Sequence, residues 1–333
     1  MKILVTGGTG FIGSHTCTLL LDAGHDVVIV DDFSNSSPDV SYRISDITGR
    51  AVNLIEGDVG DPAIMRRCFS HNAIDAVIHF AGWKSVGESV SDPMGYWRNN
   101  VLSTLTLLKS MKEFRVKKMV FSSSATVYGF PDAVPIPESA PVRTINPYGS
   151  TKAAIEILLR DVAESDPDWH IAMLRYFNPV GAHPTGFLGE NPKGIPTNLF
   201  PYVMMVAQGQ LPNVNVFGSD YPTPDGTGVR DYIHVMDLAD GHLAALNFLN
   251  RNRGIHTFNL GTGTGYSVLE IIRAMSEASG KDIPFQLVDR RPGDSAESVA
   301  DTRKAERELG WVATRGLAEM CADGWRWQLN QEA

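Results

Sequence analysis

Through the first 180 residues, short apolar runs alternate with longer stretches patterned like helices. Runs rich in Val, Ile and Leu predict strands at Lys2 to Thr6, Asp26 to Asp31, Val52 to Asp58, Ala76 to Ala81, Lys118 to Ser123 and Ile171 to Asn178. Between them Ser14 to Ala23, Asn99 to Phe114 and Tyr148 to Glu164 carry amphipathic or apolar helix patterns. Strands that are apolar nearly throughout, separated by helices, predict a parallel sheet buried on both faces.

The pattern then changes. Residues 179 to 229 hold sixteen of the chain's Gly and Pro residues, about twice the density of the whole, which predicts a loop-rich, site-forming region. Regular patterning resumes at Arg230 to Leu249, followed by a strand-like His256 to Leu260 and a helix-like Ser267 to Ser279. The expected fold is α/β, a doubly wound parallel sheet with a smaller α/β C-terminal substrate domain. The expected division is 1–178, rejoined by about 230–262, against 179–229 with 263–333.

Composition narrows the function classes. A chain of 333 residues with 43% apolar content has enough material for one large or two moderate cores. Its formal charge of -9 disfavours nucleic acid or an anionic membrane as the main partner, because either needs a broad basic face. No apolar run approaches the roughly 18 residues of a membrane span, and the opening strand runs into glycines too soon for a signal-peptide core. A cytoplasmic protein is expected. Cys17, Cys68 and Cys321 are scattered, without the close pairing of zinc or redox motifs, so they predict buried small residues and no metal site.

Gly8-Thr-Gly10-Phe-Ile-Gly13 follows the first strand and opens the first helix. Glycines there let backbone approach a pyrophosphate, and a helix N-terminus offers free N–H groups and partial positive charge. Asp31 ends the next strand eighteen residues after Gly13, where an acid can bind the adenosine ribose diol. A Rossmann-type dinucleotide site is implied. Asp31 and Asp32 favour NAD, since a carboxylate there repels the extra phosphate of NADP.

Tyr148 and Lys152 stand four residues apart on a predicted helix, hence on one face. A phenol that takes protons near neutral pH needs its pKa lowered by roughly 3 units, and a nearby cation gives that sign of shift. The spacing alone equally fits a helix-start Tyr beside a solvated Lys. Ser122, Ser123 and Ser124 end a predicted strand, where hydroxyls either satisfy loop amides or, in a site, both donate and accept.

Thr6-Gly-Gly-Thr-Gly-Phe-Ile-Gly13 with Tyr148-x-x-x-Lys152 resembles the extended short-chain dehydrogenase/reductase family. Phe121 to Gly129, Leu174 to Pro184 and Gly226 to Gly241 are similar to the UDP-galactose (UDP-glucose) 4-epimerase family within it, and the similarity runs to about Trp327. That resemblance implies 4-epimerisation of UDP-hexoses through a 4-keto sugar with bound NAD. Tyr148 would act as the base, Lys152 would hold down its pKa and anchor the nicotinamide ribose, and Ser124 would orient or relay the proton. It places NAD contacts at Gly7, Gly10, Phe11, Ile12, Gly13, Asp31, Asp32, Phe33, Ser34, Asn35, Ser36, Asp58, Val59, Phe80, Ala81, Gly82, Trp83, Lys84, Asn99, Ser124, Tyr148, Lys152 and Phe177. Trp83 and Ser85 depart from the smaller or aliphatic pattern around Lys84.

The same resemblance places the nucleotide sugar at Asn178, Asn198, Asn215, Phe217, Arg230, Arg291 and Asp294, two arginines suiting a diphosphate. Ser298 falls where some members carry a tyrosine that closes the sugar pocket, which predicts acceptance of UDP-GlcNAc and UDP-GalNAc. A dehydratase of the same family needs an Asp-Glu pair where this chain has Ala125 and Thr126. A UDP-glucuronate 4-epimerase and a non-catalytic NAD-sensing protein stay open as alternatives. A homodimer is implied, packed through the helices at Asn99 to Phe114 and Tyr148 to Glu164.

Overall fold

The computed structural model describes every residue except 192, 193, 195, 292, 332 and 333. Its strands are β1 (Lys2–Thr6), β2 (Asp26–Asp31), β3 (Asn53–Glu56), β4 (Ala76–His79), β5 (Lys118–Ser124), β6 (His170–Tyr176), β7 (Asn178–Val180), β8 (Val214–Phe217), β9 (Val229–His234), β10 (Gly254–Leu260), β11 (Gly265–Ser267), β12 (Phe285–Val288) and β13 (Glu297–Ser298). The helices are α1 (Phe11–Asp22), α2 (Val40–Thr48), α3 (Pro62–His71), α4 (Val86–Ser91), α5 (Pro93–Tyr96), α6 (Ser103–Glu113), α7 (Pro147–Ser165), α8 (Leu199–Ala207), α9 (Val235–Phe248), α10 (Val268–Ser279), α11 (Arg303–Leu309) and α12 (Leu317–Asn330).

Seven strands form one parallel sheet in the order β10-β6-β5-β4-β1-β2-β3. Period-two alternation sends Ile3, Val5 and Ile29 to one face, against Leu20 of α1 and Leu246 of α9. It sends Leu4, Val28 and Met119 to the other, against Leu107 of α6 and Leu159 of α7. This two-sided burial is why the strands lack polar alternation. Cys17, Cys68 and Cys321 are buried free thiols.

Two expected elements differ in kind from the sequence pattern. The apolar run Ile171 to Asn178 is not one strand: β6 stops at Tyr176, and Phe177 donates its N–H to Leu260 O. The chain then passes to another sheet, where β7 pairs with β9. Pro179 has no N–H to continue the first ladder. The helix expected from Asn99 begins as a π-helical turn over Trp97–Leu102 before α6 takes over, a distortion common at functional sites.

A smaller unit gathers around β7, β9, β11 and β13, with the β8–β12 pair and helices α8, α10 and α12. Val203, Val216, Ile271, Met275 and Trp325 share its core. Helix α10 starts at Ser267, whose capping box with Glu270 satisfies donors in both directions, and ends at Gly280 in the left-handed region. No helix among the described residues is long and apolar enough to cross a membrane.

Candidate active site

Because the large sheet is parallel, the C-terminal ends of β1, β2, β4, β5 and β6 all open on one edge, the usual ligand side of such folds. The glycine turn after β1 lies there. Gly7 adopts φ +68, and a Cβ on it would come within 2.8 Å of Ala81 N. A Cβ on Gly13 would lie 2.3 Å from Gly7 O. These two glycines therefore serve close backbone packing between the turn, α1 and the end of β4. Gly10 is the open one, since its Cβ would meet only Gly7 O at 3.2 Å. It also precedes α1, whose N-terminus has no capping side chain. The first N–H groups of that helix, at Phe11, Ile12 and Gly13, can meet an anion, which fits a pyrophosphate.

Asp31 ends β2 in a buried position. Its Oδ2 accepts from Thr9 N at 3.0 Å, and its Oδ1 accepts from Phe33 N at 3.0 Å and Ser36 Oγ at 2.9 Å. Three protein donors on about four lone-pair sites fix the carboxylate while leaving acceptor capacity for a ribose hydroxyl. Asp32 is exposed and accepts from Ser34 N at 2.9 Å; Asn35 is exposed beside it. On the other side of the turn, Asp58 holds its own loop through Gly60 N at 2.6 Å, and Val59 is buried. The residues expected to hold NAD are thus brought to one edge of one sheet.

Beyond β4, Phe80 packs its ring 4.8 Å from His242, and Gly82 takes φ +153, within 4.0 Å of Lys152 Nζ by its built Cβ. Trp83 N donates to Asn99 Oδ1 at 3.2 Å and Asn100 Oδ1 at 2.8 Å. Asn100 is buried and also donates to Trp83 O at 3.1 Å and Thr151 Oγ1 at 3.0 Å, clamping this loop to α7. Sequence reading missed Asn100; its only signal was the doubled Asn. Lys84 pairs with Glu190 at 2.8 Å.

The acid/base group assembles where β5 meets α7. Asn146 caps α7 by accepting from Gly149 N at 2.8 Å, and Pro147 occupies its first turn. Tyr148 and Lys152 then project from one face, and the Ser124 hydroxyl lies close enough to the Tyr148 phenol to lower its pKa. Thr126 directs that hydroxyl, donating to Ser124 Oγ from N at 3.2 Å and from Oγ1 at 2.8 Å. With two donors on its oxygen, Ser124 has its own proton free for Tyr148. Lys152 is buried, donates to Ser122 O at 2.7 Å, and lies 5.9 Å from the Tyr148 ring centre.

The expected depression of the Tyr148 pKa by Lys152 is corrected here. Burial raises the phenol above its ordinary value, and the Ser124 hydrogen bond is what lowers it. Burial also brings Lys152 down to about 8. Lys152 is buried and Tyr148 half-buried, so each charged form loses hydration, and at this distance the pair does not offset that loss. Nearby, burial raises Tyr176 well above an ordinary phenol; its hydroxyl bonds to His242 Nε2. His242 is brought down to about 4 by burial, and its Nδ1 bonds Leu238 O at 2.8 Å.

On the sugar side, Arg291 lies over the Phe217 ring at 4.3 Å, and Arg230 stands 3.8 Å from Asp294. Ser298 of β13 is the register partner of Arg230 in β9, and Asn178 of β7 is paired with Tyr232 two residues further along. Asn215 sits on β8, two residues from Phe217, and accepts from Gln286 Nε2 at 2.6 Å. Asn198 stands at the head of α8 and Phe177 is buried at the strand junction. A cavity of about 460 Å³ lies between Asp294, Tyr221, Arg290 and Phe130. Arg290 stacks over Tyr221 at 4.1 Å, a pair the sequence did not single out.

The model of the NAD dependent epimerase/dehydratase family matches residues 3–261. The UDP-glucose 4-epimerase of Bacillus subtilis (strain 168) is 56% identical over 328 residues, 98% of this chain and 97% of that protein. The crystal structure of UDP-glucose 4-epimerase from Bifidobacterium longum in complex with NAD+ and UDP is similar with a TM-score of 0.97 at 55% identity, covering 100% of this chain and 99% of that one. UDP-glucose-4-epimerase from Stenotrophomonas maltophila, with bound NAD and formylated UDP-arabinopyranose, gives 0.98 at 52% identity, covering 100% and 99%. This chain belongs to the NAD-dependent epimerase/dehydratase family.

Proposed function

We propose that this chain catalyses reversible 4-epimerisation of UDP-glucose and UDP-galactose through a 4-keto sugar, using tightly bound NAD. One observation carries the reading: Ser124, Tyr148 and Lys152 meet at the same sheet edge as the uncapped start of α1 and the Asp31 carboxylate. Bound NAD supplies the hydride acceptor for carbon 4, and its oxidised ring adds the positive charge that the Tyr148 phenolate needs beyond Lys152.

Tyr148 takes the proton of the 4-hydroxyl, and Ser124, held by Thr126, turns its one proton from Tyr148 to the sugar oxygen as charge develops there. Lys152, fixed by Ser122 O, anchors the nicotinamide ribose. The keto sugar must then present its other face, so the site has to grip the nucleotide while leaving the hexose free to turn. Phe217 with Arg291 would hold the uridine end, and Arg230 the diphosphate. Elimination of water is not served, because Ala125 carries no acid and Thr126 is engaged on Ser124.

Ser298 beside Arg230 supports a pocket with room for an N-acetyl group, so UDP-GlcNAc and UDP-GalNAc are proposed as further substrates. We propose a homodimer through α5, the π turn, α6 and α7. Met94, Trp97 and Leu102, with Ile157 of α7, leave apolar surface exposed there. The division into a cofactor unit (1–178 with 230–262) and a substrate unit (179–229 with 263–333), and a cytoplasmic location, complete the proposal.

The test is turnover of UDP-galactose and UDP-GalNAc by the purified holoenzyme without added reductant. Conversion of both supports the epimerase reading and the N-acetyl proposal. UDP-galactose alone removes the N-acetyl proposal, and conversion of neither overturns the function and sends the search to UDP-glucuronate or to a non-catalytic NAD-binding role.

A further inference from the structure

Behind Tyr148 and Lys152, one turn further along α7 on the same face, Glu156 is fully buried in the molecule. Its two oxygens take four donors. Oε1 accepts from Ser123 Oγ at 2.6 Å and Arg175 Nε at 2.9 Å; Oε2 accepts from Arg175 NH2 at 2.6 Å and Arg160 NH2 at 3.0 Å. These fill all of a carboxylate's acceptor sites. Arg175, also buried, uses its remaining nitrogen on the Tyr128 hydroxyl at 2.9 Å and Glu138 O at 3.1 Å. Tyr128 in turn donates to Asn259 Oδ1 at 2.6 Å. The hub joins α7, β5, β6 and β10, and none of its members is among the residues proposed to contact substrate or cofactor.

We propose that the Glu156–Arg175 pair is a positioning device that sets the register of α7 against the end of β5, and so the meeting of Tyr148 with Ser124 and of Lys152 with Ser122 O. Three observations carry this. Ser123, which binds Glu156, lies between the two residues that Tyr148 and Lys152 contact. Glu156 follows Lys152, and Lys152 follows Tyr148, by one helical repeat of four, so rotation or sliding of α7 moves all three together. Lastly, an ion pair buried this deeply is a weak source of stability, because desolvation of both charges offsets their attraction, whereas a planar fork on a carboxylate defines geometry tightly. Catalysis is steep in such geometry, since a misplacement of about 1 Å costs on the order of 100-fold.

The inference rests on the epimerase reading and is tested in the holoenzyme with UDP-galactose. The double variant Glu156→Met/Arg175→Met replaces the pair by apolar groups of similar volume. Its kcat per bound NAD should fall about 10- to 100-fold, with KM within about 2-fold of the parent. The acid limb of the kcat profile should move to higher pH, as the Ser124 bond that lowers the Tyr148 pKa loosens. Ser123→Ala, which leaves both charges paired, should shift kcat the same way by roughly 3- to 10-fold.

Parental kcat and pH profile in both variants would overturn the inference, as would losses confined to melting temperature or NAD content. If the double variant does not fold, Ser123→Ala decides alone. A parent protein that does not turn over UDP-galactose overturns the epimerase reading itself, a failure distinct from an active parent with unaffected variants.

Discussion

The cofactor edge and the sugar side are built on opposite plans. At the cofactor edge, polar groups are buried and already held in place by the protein, with capacity left for a ligand: Asp31 by three donors, Asn100 by the Trp83 loop and Thr151, Lys152 by Ser122 O. On the sugar side Arg230 donates to Val229 O at 2.9 Å but meets its carboxylate neighbour Asp294 only at 3.8 Å, and Arg291 is exposed apart from its stacking on Phe217. A preorganised edge suits a cofactor that stays, because few groups must reorder when it binds. Loosely paired cations suit a diphosphate that arrives and leaves each cycle, since little has to be broken to receive it.

That contrast breaks first at the acid/base group. Tyr148→Phe should lower kcat by roughly 10³-fold while leaving KM for UDP-galactose within about 2-fold, because the lost hydroxyl acts in the transition state. Steady-state kinetics across substrate concentration checks it; a loss carried by KM would place Tyr148 among the binding groups. Asp31→Ala should act on NAD alone, weakening it about 100-fold, since it removes the ribose acceptor and the carboxylate that holds Thr9 N and Ser36 Oγ. Calorimetric titration with NAD measures that directly.

A sugar-side change should read out the other way. Arg230→Met should raise KM for UDP-galactose about 10-fold with NAD content unchanged, as expected for one charge-assisted contact to the diphosphate. Equal loss of NAD would dissolve the distinction between the two regions. Ser298→Tyr should depress turnover of UDP-GalNAc relative to UDP-galactose by about 10-fold, a pocket effect of ordinary steric size. An unchanged substrate ratio would remove Ser298 as the gate.

The smallest effect, taken group by group, concerns stability. Burial lowers His15 and His79 to about 3 and His234 and His242 to about 4, all below the unfolded value near 6.5. Between those limits the unfolded chain binds more protons, so stability is full above pH 6.5 and is lost as pH falls toward 4. Each histidine should contribute about 1 kcal/mol of loss by pH 5.5. Urea midpoints at pH 7.5 and 5.5 would show it, and equal midpoints would contradict neutral burial.

Much of the cofactor edge was legible in the sequence because it depends on local signals. The glycine turn, the strand-ending Asp31 and the four-residue spacing of Tyr148 and Lys152 each carry their geometry within one or two elements. The β6 break at Phe177 was not legible, since the passage to another sheet depends on Asn178 to Val180 pairing with Tyr232 to His234, more than fifty residues away. The same holds for Asn100 and Glu156, whose partners come from separate elements. The direction of the Tyr148 shift also escaped, because spacing reports a cation's presence but not how deeply both groups are buried.

The central claim is that hydride leaves carbon 4 and returns to it within one site. Turnover of UDP-galactose deuterated at carbon 4 by the holoenzyme, in ordinary water without added reductant, tests this most directly. The account predicts UDP-glucose with deuterium retained at carbon 4. Product carrying solvent hydrogen at that position would contradict it.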